Sequence, residues 1–281
     1  MMTAIRLLTQ QDIPAAMRLK EWAHWNQTEV DWTRLLALEP EGCLVACADD
    51  QVVATTTTTR YGKNLAWIGM VLVHPAYRQR GIATTLVRAA LDYLAGKGVR
   101  TVKLDATPAG AVVYEKLGFR PETMIQRWEG IAQPVASQNG LESGPLTPEL
   151  FSLDRCAFGA DRAALLDWLS RDGCLPPLLA KSSEGRLLGY AMARGGTSAC
   201  YVGPIVASQQ EIAFQLLDGT LTLLAGKPVY LDASPALAAS AGELVQRGFG
   251  RQRNLVRMYF GEQSGSGDPA LVWAIGGPET G

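Results

Sequence analysis

The stretch Ala66-Trp67-Ile68-Gly69-Met70-Val71-Leu72-Val73-His74-Pro75-Ala76-Tyr77-Arg78-Gln79-Arg80-Gly81-Ile82-Ala83-Thr84 decides how the chain folds. Ala66 to Val73 is almost continuously apolar, the pattern of a central strand buried on both faces. Pro75 stops the strand, and Ile82 to Ala95 reads as an amphipathic helix, with Leu86, Ala89, Ala90 and Tyr93 at helical spacing. Between them, Arg78 to Ala83 fits the pattern R/Q-x-x-G-x-G/A. Gly81 and Ala83 carry little or no side chain, so backbone N–H groups come close to an anion, and the helix N-terminus adds partial positive charge. Arg78 and Arg80 bring fixed cations with several donors each. Strand, amide cradle and helix in this order make a site for a pyrophosphate; an ordinary strand-to-helix turn with surface arginines is the competing reading.

Outward from this stretch, strands and helices alternate. Ala4 to Leu8 reads as a strand and Ile13 to Leu19 as a helix, with Pro14 tolerated in its first turn. Cys43 to Ala48 and Val52 to Thr59 flank the turn Asp49-Asp50 as a hairpin, and the threonine run Thr55 to Thr59 suits a half-exposed pleated strand. Val99 to Leu104 is a further strand, and Ala109 to Lys116 a short helix stopped by Gly118. A Pro/Gly/Ser/Asn-rich stretch then separates two domains, 1–132 and 149–281, with residues 133–148 as the linker.

The second domain weakly repeats the first. Leu104-Asp105-Ala106-Thr107-Pro108 recurs as Leu231-Asp232-Ala233-Ser234-Pro235, Gly118-Phe119 as Gly248-Phe249, and Trp67-Ile68-Gly69 as Tyr201-Val202-Gly203. The common order implies two copies of one α/β unit.

Composition narrows the function. The 281 residues are 47% hydrophobic and 19% charged, enough apolar material for a core in each half. Lys+Arg 26 against Asp+Glu 27 leaves a formal charge of −1, so a nucleic-acid partner is not expected and any basic site is local. Cys43, Cys47, Cys156, Cys174 and Cys200 are scattered, and His24 and His74 are the only histidines. Neither a disulfide framework nor a metal site is expected, and the thiols read mostly as small core residues. The first residues turn polar too soon for a signal-peptide core, and no run approaches the roughly 18 apolar residues of a membrane span. A cytoplasmic, metal-free protein with no membrane partner is the expectation.

One further motif, Tyr114-Glu115-Lys116-Leu117-Gly118-Phe119, lies one strand and one helix beyond the loop. With it, residues 1 to ~130 resemble GNAT-superfamily N-acetyltransferases, whose signature is V-x-V-x-P-x-x-R-x-x-G-[IL]-[GA] followed by Y-x-x-x-GF. Trp25-Asn26-Gln27-Thr28-Glu29, Leu104 to Pro108 and the ending Ala274-Ile275-Gly276-Gly277-Pro278-Glu279-Thr280-Gly281 resemble a bacterial subgroup with two such domains in tandem. The resemblance implies α/β architecture with two tandem domains, each a mixed central sheet flanked by helices. It also implies acetyl-CoA as co-substrate. Its pantetheine arm would pair with Val71, Leu72 and Val73 between strands that splay apart. Its pyrophosphate would meet Arg78, Gln79, Arg80, Gly81, Ile82, Ala83 and Thr84.

Acetyl transfer needs a neutral amine, a donor for the tetrahedral oxyanion and a proton for the leaving thiolate. An alkyl ammonium with a pKa near ~10.4, like lysine, needs a base. The resemblance places Tyr114 as general acid, and the amide of Leu72 is the candidate oxyanion donor. No carboxylate lies in Ala66 to Val73, so Asp105 is the first candidate base and Glu29 the second; the alternative for Asp105 is a turn cap, since the repeat keeps it as Asp232. Trp25, Asn26, Gln27 and Glu29, with Trp22, His24 and Trp32 nearby, read either as an acceptor site or as aromatic anchors of a helical hairpin.

The second copy lacks the arginine-glycine loop, has Glu211 near the corresponding helix start, and has Leu244 where Tyr114 would correspond. It is expected to have lost coenzyme binding and chemistry and to wall off the acceptor pocket through Phe158 to Arg162 or Trp273 to Gly281. The expected activity is acetyl transfer to a small-molecule primary amine by direct attack in a ternary complex. A protein lysine or N-terminal acceptor, or a non-catalytic acyl-CoA sensor, are the alternatives.

Overall fold

The computed structural model describes residues 3–135, 140–263 and 267–281. Its first half runs β1 (Ala4–Leu7), α1 (Ile13–Trp22), α2 (Glu29–Leu38), β2 (Leu44–Ala48), β3 (Gln51–Tyr61), β4 (Leu65–Val73), α3 (Ile82–Gly96), β5 (Thr101–Ala106), α4 (Pro108–Glu115) and β6 (Arg120–Ile131). The second half opens with β7 (Leu141–Ser143), α5 (Pro148–Phe158), α6 (Ala163–Arg171), β8 (Leu178–Lys181), β9 (Leu187–Arg194) and β10 (Cys200–Ala207). It closes with α7 (Gln210–Leu223), β11 (Pro228–Ala233), α8 (Pro235–Ala238), α9 (Ala241–Gln246), β12 (Gly250–Gly261) and β13 (Val272–Ala274).

Packing groups these elements into two compact units that interleave along the chain. One holds Met1–Glu122, Val256–Ser264 and Glu279–Gly281; the other holds Thr123–Leu255 and Gly265–Pro278. The interleaving rests on β6 and β12, each 12 residues long, roughly twice an ordinary strand. Each therefore has residues in both units. Val256–Gly261 of β12 pair antiparallel with β5 in the first unit, while Gln126–Ile131 of β6 pair antiparallel with β11 in the second. Part of the stretch read as a linker is regular structure: Leu141–Ser143 pairs with β8, and Pro148 opens α5 behind the cap Thr147, whose hydroxyl accepts from the Leu150 N–H at 3.2 Å. Residues 136–139 of that stretch lie outside the described residues.

In the first unit the strand order is β1-β2-β3-β4-β5-β12, antiparallel except for β4 and β5. The hairpin between β2 and β3 turns on Asp49 and Asp50, both with positive φ (48° and 62°), the backbone of a tight two-residue hairpin turn. Ala66 and Ile68 of β4 face α3 and α4, while Met70 and Leu72 meet α1 and α2 through Leu19, Trp32 and Leu35, because the bulge at Met70 shifts the alternation by one residue. The threonine run is a correction to the sequence reading. Thr55 to Thr59 are all buried, because β3 lies inside the sheet with helices over it. Their hydroxyls are partly used by β4: Thr55 Oγ1 donates to the Met70 carbonyl at 2.8 Å, where a bulge sets Met70 and Val71 opposite Thr56.

The second unit orders its main strands β6-β11-β10-β9-β8-β7, with α7 packed on β8, β9 and β10. Its core gathers Trp128, Val202, Phe214, Leu217, Leu231, Leu244 and Phe249. Cys43 and Cys47 are core residues as expected, whereas Cys156 and Cys174 are exposed.

Candidate active site

The site begins where β4 and β5 part. They pair in parallel only over Leu65–Trp67 with Thr101–Lys103, although β4 continues to Val73 and β5 to Ala106. Beyond Trp67 the two strands are no longer paired, which leaves an opening between them. The His74 N–H donates to the Val53 carbonyl at 2.8 Å, so by alternation Leu72 also turns its amide toward β3. Val71 and Val73 turn theirs toward the opening. The bulge at Met70, with φ of 51°, sets this phase. The register therefore points the amides of Val71 and Val73, and not that of Leu72, into the opening, a phase that the sequence alone does not reveal.

The loop after β4 has the backbone its sequence suggested. Gln79 and Gly81 hold positive φ (61° and 78°) on either side of Arg80, a reversal of sign that lets successive N–H groups converge on an anion. Gly81 is the residue before α3, so the first free amides of Ile82, Ala83 and Thr84 face the same place. A Cβ at Gly81 would meet nothing within 4 Å, so it is the positive φ and not crowding that favours glycine there. The Arg78 Nε donates to the Val73 carbonyl at 3.1 Å, tying the loop back to its strand, and the Arg80 guanidinium lies 5.2 Å from the Tyr77 ring centre.

Tyr114 lies on α4, just beyond the end of β5. Its ring passes over Gly110, where a Cβ would lie 3.1 Å from the ring edge, and packs 5.9 Å from the Phe119 ring. Thr107 caps the helix by accepting from the Gly110 N–H at 3.2 Å. Burial pushes the Tyr114 phenol well above the ordinary tyrosine value, so it keeps its proton. Asp105 is differently placed: its two carboxylate oxygens take Nε and Nη2 of Arg257, each at 2.8 Å, and its side chain is fully buried. A carboxylate so engaged holds a strand in place. Each oxygen is held by the Arg257 guanidinium, which fixes the carboxylate against β12 and argues against Asp105 as the base.

The residues read as a candidate acceptor site divide. Trp32 is wholly buried in the core, and Trp22 stands edge-on to His74 at 4.1 Å. Trp25 is half-buried, and Glu29 is exposed in the first turn of α2. Asn26 and Gln27 are buried, and the Gln27 Nε2 donates to Glu279 Oε2 at 2.9 Å. That carboxylate reaches the unit because residues 279–281 lie on β4. A Cβ at Gly69 would come within 2.7 Å of the Glu279 Cα, one at Gly281 within 2.8 Å of the Trp67 ring, and the Tyr61 hydroxyl donates to the Thr280 carbonyl at 2.6 Å. The sequence showed the ending but not its address.

Two family models match. The acetyltransferase (GNAT) family covers residues 7–119, and the acetyltransferase (GNAT) domain covers residues 150–273. The chain is a GNAT protein with two such domains in tandem. Over 271 residues it is 27% identical to the holothin acyltransferase of Pseudoalteromonas sp. (strain SANK 73390), spanning 94% of this chain and 90% of that protein. It is 24% identical over 249 residues to the uncharacterized N-acetyltransferase YitH of Bacillus subtilis (strain 168), spanning 86% of each. The crystal structure of a putative acetyltransferase from Pyrococcus horikoshii superposes with a TM-score of 0.86 at 25% identity, covering 99% of this chain and 96% of that one.

These relations make the chain an acyltransferase of GNAT type, a family whose co-substrate is acetyl-CoA. In the first domain β4 and β5 part beyond Trp67, and the loop with positive φ at Gln79 and Gly81 follows β4. Among the described residues, no helix is long and apolar enough to cross a membrane. The second GNAT domain has the same opening but fills it. β10 and β11 pair over Cys200–Val202 with Val229–Leu231 and then part, and β13 enters between them, pairing Ala274 with both Ile205 and Ala233. Trp273 anchors it, its indole N–H donating to the Ala207 carbonyl at 3.2 Å. Leu244 is wholly buried, Arg127 grips Asp232 as Arg257 grips Asp105, and Arg162 is spent on Asp154 at 2.8 Å.

Proposed function

We propose that the first GNAT domain transfers an acetyl group from acetyl-CoA to a small primary amine by direct attack in a ternary complex, and that the second domain binds no coenzyme. The observation that carries this reading is the contrast between the open β4–β5 gap and the β10–β11 gap closed by β13. In the first domain the amides of Val71 and Val73 take the arm and the developing oxyanion, and Gln79 to Thr84 take the pyrophosphate. Tyr114 gives the sulfur its proton as the C–S bond breaks.

A small acceptor is favoured because residues 279–281 cover β4 at Trp67 and Gly69, leaving little room there for an extended peptide. The [ribosomal protein bS18]-alanine N-acetyltransferase of Salmonella typhimurium matches 47% of this chain at 29% identity, and a protein N-terminus is the second reading on that ground. Free-thiol release from acetyl-CoA, followed across alkylamines, amino sugars and N-terminal peptides, separates the two. The same assay with no acceptor in the panel taken up contradicts both. The reading carries with it the expectation of no nucleic-acid or membrane partner and of a cytoplasmic location, which the formal charge of −1 and the scattered cysteines support.

A further inference from the structure

We propose that Glu279 is the general base of the acetyl transfer and that Gln27 positions the acceptor nitrogen beside it, an assignment that rests on the reading above. β4 itself supplies no carboxylate, and Asp105 is held by Arg257. Glu279 is 4% exposed and its backbone sits against Gly69, the second residue beyond Trp67, where pairing with β5 ends. The carboxylate is thus carried to the mouth of the opening by the segment that follows β13. It lies on the α1–α2 face, because Trp67 and Gly69 alternate against Ala66 and Ile68. Tyr114 packs on the opposite face with Ala66 and Ile68. Base and acid therefore flank the gap from two sides, as an amine arriving on one and a thiol leaving on the other require.

Gln27 completes the arrangement. Its amide is 6% exposed, its Nε2 is committed to Glu279, and its Oε1 has no partner among the described residues. A buried carbonyl oxygen left in that state is costly unless a donor arrives. The donor that fits is an N–H of the incoming ammonium, whose charge Glu279 also attracts.

In the step, the ammonium loses one proton to Glu279 and its lone pair forms the C–N bond to the thioester carbonyl. The tetrahedral intermediate collapses, the C–S bond breaks, and the sulfur takes the Tyr114 proton. The second nitrogen proton returns to the Tyr114 phenolate through water, and Glu279 releases its own to solvent, so the products are the amide, the free thiol and one proton.

The test compares the whole chain with Glu279→Gln and Gln27→Leu, using an alkylamine taken up by the unaltered protein and, separately, hydroxylamine, a nucleophile already neutral at pH 7. Glu279→Gln is expected to lose about a hundredfold or more in kcat/KM toward the alkylamine. It should retain acetyl-CoA affinity by calorimetry and most of its rate with hydroxylamine. Its deficit should shrink as pH rises toward the amine's own pKa. Gln27→Leu should raise the acceptor KM more than it lowers kcat. An unchanged rate in Glu279→Gln, or equal losses with both nucleophiles at every pH, overturns the assignment while the acetyltransferase reading stands. Silence of the unaltered protein with acetyl-CoA and both nucleophiles instead overturns the reading beneath it.

Discussion

The two GNAT domains solve one problem in opposite ways. In each, two parallel strands pair over three residues and then part: β4 from β5 after Trp67, β10 from β11 after Val202. Parted strands leave N–H and C=O groups facing a gap, and buried groups of that kind need partners. The second domain supplies them from its own chain, with β13 hydrogen-bonded on both sides. Among the described residues no strand enters the gap of the first domain, and the loop of Gln79 to Gly81 lies at its end. On the proposed reading, the slot that holds a ligand's arm in the first domain holds a strand in the second.

The comparison predicts unequal responses to equivalent changes. The largest concerns the proton donor. Tyr114→Phe should lower kcat by about 10²–10⁴-fold with acetyl-CoA affinity intact, whereas Leu244→Tyr should create no activity. Because burial raises the Tyr114 pKa, the donor stays protonated as pH climbs. Initial rates should show no alkaline limb from it below about pH 10. A limb near pH 8 that disappears in Tyr114→Phe would contradict the burial argument.

Where the domains agree, the responses should agree. Asp105 with Arg257 and Asp232 with Arg127 are the same cross-strand ion pair, both aspartate side chains fully buried. Removing one partner strands the other's charge, so Asp105→Ala and Asp232→Ala should each destabilise by about 3–5 kcal/mol in denaturant unfolding. Neither should abolish turnover in the molecules that remain folded. Selective loss of turnover in the Asp105 variant alone would restore Asp105 as the base.

A smaller effect separates the two loops. Gly81 holds a φ of 78°, which a β-branched residue resists, whereas Gln209, the residue before α7, is extended. Gly81→Val should raise the acetyl-CoA KM by roughly tenfold, equivalent to about 1.4 kcal/mol. Gln209→Val should leave it unchanged.

What could be read from sequence was what neighbouring residues make together. The buried strand, the glycine loop, Tyr114 one helix on, and the order of repeated fragments all lie within short spans, and each formed as expected within a residue or two. The burial of Thr55 to Thr59 was missed because polarity spoke for exposure, while the bulge that gives Thr55 an acceptor is a property of β4. The rest depends on partners far along the chain. Asp105 meets an arginine 152 residues away, Asp232 one 105 away, and Gln27 a carboxylate 252 away. No local pattern encodes such pairings. The alternating strands β6 and β12 read alike whichever sheet they join. The ending Ala274 to Gly281 was legible as a motif, yet that one part of it plugs a gap and another reaches β4 follows only from the register.

The central claim is that only the first domain keeps its gap for a ligand. Calorimetric titration of the full chain with acetyl-CoA counts the sites directly. One site per chain, weakened by Gly81→Val and untouched by Gln209→Val, is the predicted result. Two sites, or one that survives Gly81→Val unweakened, would show that β13 yields its slot and would contradict the account.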